Sequence, residues 1–351
     1  MNLKQKVLSK SDSYNHYKKQ AEKLEKENES LKKELEEVKS KNPPTLKETY
    51  YNQFARHLGF CNYGYVNYFL EDNFEDNLKE VTKHLDSESK YYFKWLYLRN
   101  MVSGVVARES LYSNSELANQ KRYIEFRDAN TSPNNVAGFE FTGKYNLHPF
   151  VDLNLDDEDK EFLKNKDIID AGAFTGDTSL PLAKLTNKNI YAFEPFEDSF
   201  RLLEKNIKDN NLTNIIPIRK SLGNTVGEKS LYLSGNNVQG ITTNPNARRY
   251  DQEFKIQETT IDTFVSENDL EVGYINVDVE GAEMELLNGA INTIKTHKPI
   301  LCISIYHKLS DFFGIIPWIA NLNLGYEFEI VKENPWFFFA DTSVKCRVKN
   351  K

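Results

Sequence analysis

Four clusters of polar residues each follow a short apolar run. The first, Asp170-Ala171-Gly172-Ala173-Phe174-Thr175-Gly176, ends one run and opens a helical pattern. Its two glycines let the backbone turn tightly and approach a ligand closely. The dinucleotide fingerprint G-x-G-x-x-G lacks its middle glycine here, because Ala173 and Phe174 stand where a pyrophosphate needs the closest backbone approach. An acid such as Asp170 would sit poorly beside a pyrophosphate and well beside a cationic sulfonium that carries an amino group.

The second cluster, Glu194-Pro195, lies about twenty residues beyond Gly172, a spacing at which a carboxylate can accept hydrogen bonds from both vicinal hydroxyls of an adenosine ribose. The third is Asp278-Val279-Glu280-Gly281-Ala282-Glu283. Asp278 and Glu280 could orient a hydroxyl, act as general base or bind Mg2+ through oxygen ligands. Glu283 reads as a first-turn helix acid favoured by the macrodipole. In the fourth, Tyr306-His307-Lys308, a neutral imidazole could take the proton of a hydroxyl. His297 reads as a surface residue.

To bring these clusters together the chain needs an open α/β sheet, in which ligands lie outside the carboxyl ends of the strands. The sequence predicts one from Asp167 onward, with strands at Ile168–Ile169, Ile190–Phe193, Ile215–Ile218, Tyr274–Val279 and Ile300–Ile305. Helices are expected at Leu180–Leu185, Phe200–Asn210 and Met284–Ile294, and a last pair of strands at Tyr326–Val331 and Phe337–Ala340. The fold class is thus α/β, a Rossmann-like, mostly parallel sheet with its last strand antiparallel. A segment from Lys229 to Phe254, rich in Asn, Gly and Arg, interrupts the alternation, as binding loops commonly do.

Residues 1–42 lack Gly and Pro and carry a heptad pattern, with Val7, Tyr14, Ala21, Asn28 and Leu35 at a and Leu24, Leu31 and Val38 at d. A coiled-coil helix ended by Pro43 and Pro44 is expected, and facing Asn28 amides would suit a parallel homodimer. Residues 43–150 read as a mainly helical cap or linker, in which Leu78, Val81, Leu85, Phe93, Leu96 and Tyr97 mark buried faces and Asn130–Gly143 a loop. Residues 151–351 form the sheet domain. A net charge of -7 argues against broad nucleic-acid binding. The three separated cysteines, the absence of an apolar leader at the N-terminus and the lack of a membrane-length apolar run point to a reducing, cytoplasmic setting.

Taken together, IDAGAFTGD (Ile169–Asp177), AFEP (Ala192–Pro195), the Asn206 and Asn210 pattern, TIDTF (Thr260–Phe264), VDVEGAE (Val277–Glu283) and YHK (Tyr306–Lys308) resemble the FkbM-type methyltransferase family. The resemblance covers about Asp167 to Ala340. It implies a class I methyltransferase sheet that uses S-adenosylmethionine to methylate hydroxyl oxygens of sugars or natural products. It further implies that Asp170, Gly172 and Gly176, with the intervening Ala173, Phe174 and Thr175, hold the methionine end, and that Glu194, next to Pro195, holds the ribose. Ser221 and Leu222 would lie near the adenine, and Asp278, Glu280 and His307 would line the transfer site. Asn276 departs from the family, which more often shows Lys there. Metal use is left open.

The expected acceptor is a small molecule or glycan hydroxyl. Asn237, Gln239, Arg248, Arg249 and Tyr306 are candidate contacts for it, since amides bind sugar hydroxyls and arginines bind carboxylate or phosphate. Two other readings stand beside this one. The first is a nicotinamide-dependent oxidoreductase on a similar sheet. The second is a coiled-coil assembly protein whose sheet domain has lost catalysis.

Overall fold

The computed structural model describes residues 68–69, 71–102, 121, 135–136, 138–142, 155–233, 250–332 and 342–348, all within one compact unit, Phe60–Lys351. Its centre is a seven-stranded sheet built from β3 (Asp167–Ala171), β4 (Ile190–Phe193), β5 (Ile215–Ile218), β9 (Val272–Val277), β10 (Ile300–Ser304), β11 (Tyr326–Lys332) and β12 (Thr342–Val348), in the order β11-β12-β10-β9-β3-β4-β5. Every residue of β3, β4, β9 and β10 is buried. Such uninterrupted burial is what a parallel sheet covered on both faces requires. β3 pairs in parallel with β4 on one side and with β9 on the other, so the strand order reverses there and a crevice opens at its carboxyl end. β12 runs antiparallel between β10 and β11.

The covering helices are α3 (Asp157–Leu163), α4 (Ser179–Leu182), α5 (Glu197–Asp209), α6 (Ile261–Asn268), α7 (Glu283–Asn288), α8 (Ile291–His297) and α9 (Leu309–Ala320). A small second sheet, ordered β6-β8-β7, is formed by β6 (Ser221–Leu222), β7 (Gly227–Leu233) and β8 (Gln252–Thr259). It contains the two ends of the interruption expected after the third strand, 229–233 and 252–254; the residues between, 234–249, lie outside the described residues.

Three expectations change. The final strand is Thr342–Val348; residues 337–340, where the sequence placed it, lie outside the described residues. The helix expected over Met284–Ile294 is two, broken at Gly289-Ala290. A Cβ on Gly289 would stand 2.0 Å from the carbonyl oxygen of Gly223, so the break is where two backbones meet. The loop expected over Asn130–Gly143 contains a short hairpin, β1 (Asn135–Val136) with β2 (Phe139–Glu140).

Upstream, α1 (Phe74–Thr82) and α2 (Ser87–Val102) pack on α9 and β11. Phe93 stacks on Phe312 with ring centroids 4.0 Å apart, and Phe74 and Tyr97 pack against Phe313. Leu85 extends the β11 edge by a parallel bridge to Phe328, which protects an otherwise open row of backbone groups. The expected coiled coil, residues 1–42, lies outside the described residues. No described helix is long and apolar enough to cross a membrane.

Candidate active site

The turn after β3 is fixed by its neighbours. Gly172 has φ +88°, and a Cβ there would stand 1.9 Å from the carbonyl oxygen of Asp278. Gly176 has φ +96°, and a Cβ would reach 2.6 Å from Leu180 Cδ1. Both positions therefore demand glycine. Between them Phe174 adopts φ 46°, an uncommon conformation for a bulky residue, and its amide donates to Glu194 Oε2 at 3.0 Å. Asn206 of α5 secures the turn from behind, its amide donating to the carbonyl oxygens of Thr175 at 2.8 Å and Thr142 at 3.2 Å.

Asp170 is fully buried and accepts from Asn276 Nδ2 at 2.9 Å and from the Ser179 hydroxyl. Asn276, where a lysine was the family expectation, supplies a neutral donor to the acid. Glu194 accepts from the Phe196 amide at 2.8 Å as well as from Phe174. Burial pushes its carboxyl up to about 8 against the pull of those two amides, and the nearby Asp177 and Asp170 raise it further. A carboxyl poised near neutrality can both donate to and accept from a pair of hydroxyls. Beside it a cavity of about 720 Å3 is lined by Pro195, Phe196, Arg219, Leu231, Phe254 and Gln257, among others. Ser221 and Leu222 are both buried in β6, and the Ser221 hydroxyl has no hydrogen-bond partner among the described residues.

The acids after β9 form a tight loop. The Asp278 amide donates to the Ala171 carbonyl at 3.0 Å, while Glu280 and Gly281 take φ 53° and 97°. At the end of β10, His307 Nδ1 donates to Glu283 Oε1 at 2.8 Å. Its Nε2 faces Asp278 Oδ1 and Glu280 Oε2, each at 3.5 Å. The Tyr306 hydroxyl points to Asp278 Oδ1, also at 3.5 Å. Burial disfavours charge on the His307 ring, but the hydrogen bond to Glu283 and the charges of Asp278, Glu283 and Glu280 outweigh it and hold the imidazole at about 9. The ring is thus charged at pH 7, which differs from the neutral imidazole expected of the sequence.

Glu283 is fully buried. Burial pushes its carboxyl up, yet the bond to His307 and the amide donors win and leave it below its ordinary value. It begins α7, as a first-turn acid should, but its work is on His307 and the loop. Asp278, Glu283 and His307 bring one ligand atom each within 4.8 Å of one another. Glu283 Oε1 already takes His307 Nδ1 and the amides of Gly281 at 3.1 Å and Val279 at 3.3 Å, and the charged His307 ring offers a cation no lone pair. Mg2+ also prefers an all-oxygen octahedral shell, and the set does not fit it.

Asp170, Gly172, Phe174, Gly176, Glu194, Asp278, Glu280, Tyr306 and His307 thus line one edge of the sheet. Asn237, Gln239, Arg248 and Arg249 lie outside the described residues. Sequence reasoning missed Ser179 and Asp311, named Asn206 only within the family resemblance, and read Glu283 as a first-turn helix acid and not as a partner of His307. A lone acid heading the apolar helix DFFGIIPWIA was the available signal for Asp311.

The strand order, with its single antiparallel strand next to the edge, and the acids at the strand mouths define a class I methyltransferase sheet. Residues 170–328 match the family model of the methyltransferase FkbM domain. Among solved structures the fold is similar to the methyltransferase FkbM of Methylobacillus flagellatus KT, with TM-score 0.50 and 16% identity over 81% of this chain and 62% of that one. This chain therefore spans less than two thirds of that structure. An rRNA methylase of Streptococcus thermophilus gives TM-score 0.36 and 14% identity over 55% of this chain and 93% of that one. A Streptococcus mutans protein described as a methyltransferase, solved with SAH, gives 0.34 and 14% over 54% and 94%. No curated protein matches the chain by sequence.

Proposed function

We propose that the chain is an S-adenosylmethionine-dependent O-methyltransferase whose acceptor is a sugar hydroxyl of a glycan or glycoconjugate. The observation that carries this reading is the convergence of Glu194, Asp278, Glu280 and His307 on one edge of the sheet, around a turn held open by Gly172. Glu194 would hold the ribose hydroxyls, and Ser221, whose hydroxyl has no partner among the described residues, would meet the adenine. The acids after β9 would face the sulfonium, whose positive charge they favour.

The reaction is a direct displacement. The acceptor oxygen forms a bond to the methyl carbon as the carbon–sulfur bond breaks, and S-adenosylhomocysteine leaves. The alkylated oxygen is strongly acidic, so a carboxylate suffices to take its proton, and Asp278 is placed for that. His307, already charged, keeps Asp278 and Glu280 oriented and balances their charge. Alignment of oxygen, methyl and sulfur supplies much of the acceleration. No step runs through a metal.

The segment between β7 and β8, with Asn237, Gln239, Arg248 and Arg249, would contact the acceptor, and Tyr306 would border it. Residues 1–42 would dimerise the protein, residues 43–150 would brace residues 151–351, and the buried thiols of Cys302 and Cys346 fit a reducing compartment such as the cytoplasm. The test is an assay of S-adenosylhomocysteine release with polysaccharide acceptors, followed by mass analysis for methyl ethers. Methyl ethers lost in Asp278→Asn support the reading, and transfer to nitrogen or carbon instead would overturn its O-methyl part.

A further inference from the structure

Behind the transfer site, α9 approaches α7 and places a second acid against Glu283. Asp311 is 1% exposed and Glu283 is fully buried. Asp311 Oδ2 and Glu283 Oε2 are both shielded from solvent, and neither has a hydrogen-bond donor from another group among the described residues. Asp311 Oδ1 has the Ser310 hydroxyl at 3.4 Å, and Lys308 Nζ stands 4.0 Å from Oδ2. Two buried carboxyl groups in contact cannot both carry charge at modest cost, and a proton between them turns a repulsion into a hydrogen bond.

We infer that Asp311 carries a proton and donates it in a hydrogen bond to Glu283 Oε2, making Asp311 a positioning residue that holds Glu283 against His307. The line Asp311, Glu283, His307 then continues to Asp278 and Glu280, so α9 reaches the transfer site through one chain of hydrogen bonds and charge contacts. The groups that face Asp311 are Glu283 and Glu285 of α7 and Lys308 at the head of its own helix. Burial pushes its carboxyl up to about 7, Glu283 raises it further, Lys308 opposes, and Glu285 adds to the rise. The stacking of α2 on Phe312 gives this arrangement its support, since Phe312 is the next residue after Asp311. The inference rests on the proposed role of His307, but the pairing of the two acids does not.

The test compares wild type with Asp311→Asn and Asp311→Ala, since an asparagine amide can replace the carboxylic acid as donor whereas alanine cannot. Carbon-13 NMR of labelled aspartate carboxyl groups in wild type is expected to show one that titrates near 7, not 3.8, and that is missing from both variants. Imidazole NMR is expected to keep the His307 midpoint near 9 in Asp311→Asn and to move it toward 6.5 in Asp311→Ala. Melting temperature is the third reading. A raised folded-state value makes stability complete below 3.8 and lost as pH rises through about 7, so wild type declines relative to Asp311→Asn across that window. An Asp311 carboxyl that titrates at its ordinary value, or an Asp311→Asn variant indistinguishable from Asp311→Ala in its His307 midpoint, overturns the inference. The wild-type carboxyl titration decides the pairing if Asp311→Ala does not fold. All three readings are independent of methyl transfer, so failure of the proposed activity would leave them standing.

Discussion

The Cβ that Gly172 lacks would sit 1.9 Å from the carbonyl oxygen of Asp278. The turn after β3 and the acids after β9 are therefore one packed unit, in which the two loops meet backbone to backbone. Gly172→Ala would both collide with backbone and force a side chain into φ +88°. It is expected to cost more than about 2 kcal/mol of stability, read from urea unfolding, and a variant within about 0.5 kcal/mol of wild type would contradict the contact.

Glu194→Gln separates ribose recognition from folding. Because the folded carboxyl is raised to about 8, its stability contribution is complete below 4.5 and is lost as pH rises through 8. The neutral amide should therefore melt higher than wild type at pH 9. Affinity for S-adenosylhomocysteine should nonetheless fall, about tenfold, because the Gln NH2 would stand where a carboxyl oxygen accepts from a ribose hydroxyl. Unchanged affinity would remove Glu194 from the ribose site.

For His307 the sign is the same but the window differs. The imidazole is held at about 9, so the stability it adds is complete below 6.5 and disappears as pH rises through 9. Wild type should lose melting temperature across that range relative to His307→Gln. Parallel curves would mean that the acids around Nε2 do not hold the ring in its charged form.

Asn206→Ala would orphan the Thr175 carbonyl and the Thr142 amide, which Asn206 Oδ1 takes at 2.8 Å. A loss of about 1–3 kcal/mol is expected in denaturant unfolding. Hydrogen exchange should rise at Thr142 if this residue is the clamp.

Much of the sheet was legible because buried parallel strands are short apolar runs. Ile190–Phe193, buried throughout, coincides with the expected span for that reason, and Ile215–Ile218, an edge strand with Ile216 exposed, does so because its run is apolar. β12 was not, since the apolar Phe337–Ala340 outweighs TSVKCRV on local pattern. Lys345 can be buried there only because Asp159 of α3 meets its Nζ at 2.5 Å, a contact far away in sequence. The same limit applies to the site. Glu194, Asp278, Glu280 and His307 stand at strand ends, where pattern alone points to them. Glu283 looked like an ordinary first-turn acid, and only the fold brings it to His307 and Asp311. The charge state of His307 was likewise invisible, because three acids from another strand end set it.

Calorimetric titration of the purified chain with S-adenosylmethionine, S-adenosylhomocysteine and NAD tests the central claim most directly. Binding of the first two, weakened by Glu194→Gln, and no heat with NAD is the predicted result. Binding of NAD, or no binding of any of the three, would contradict it.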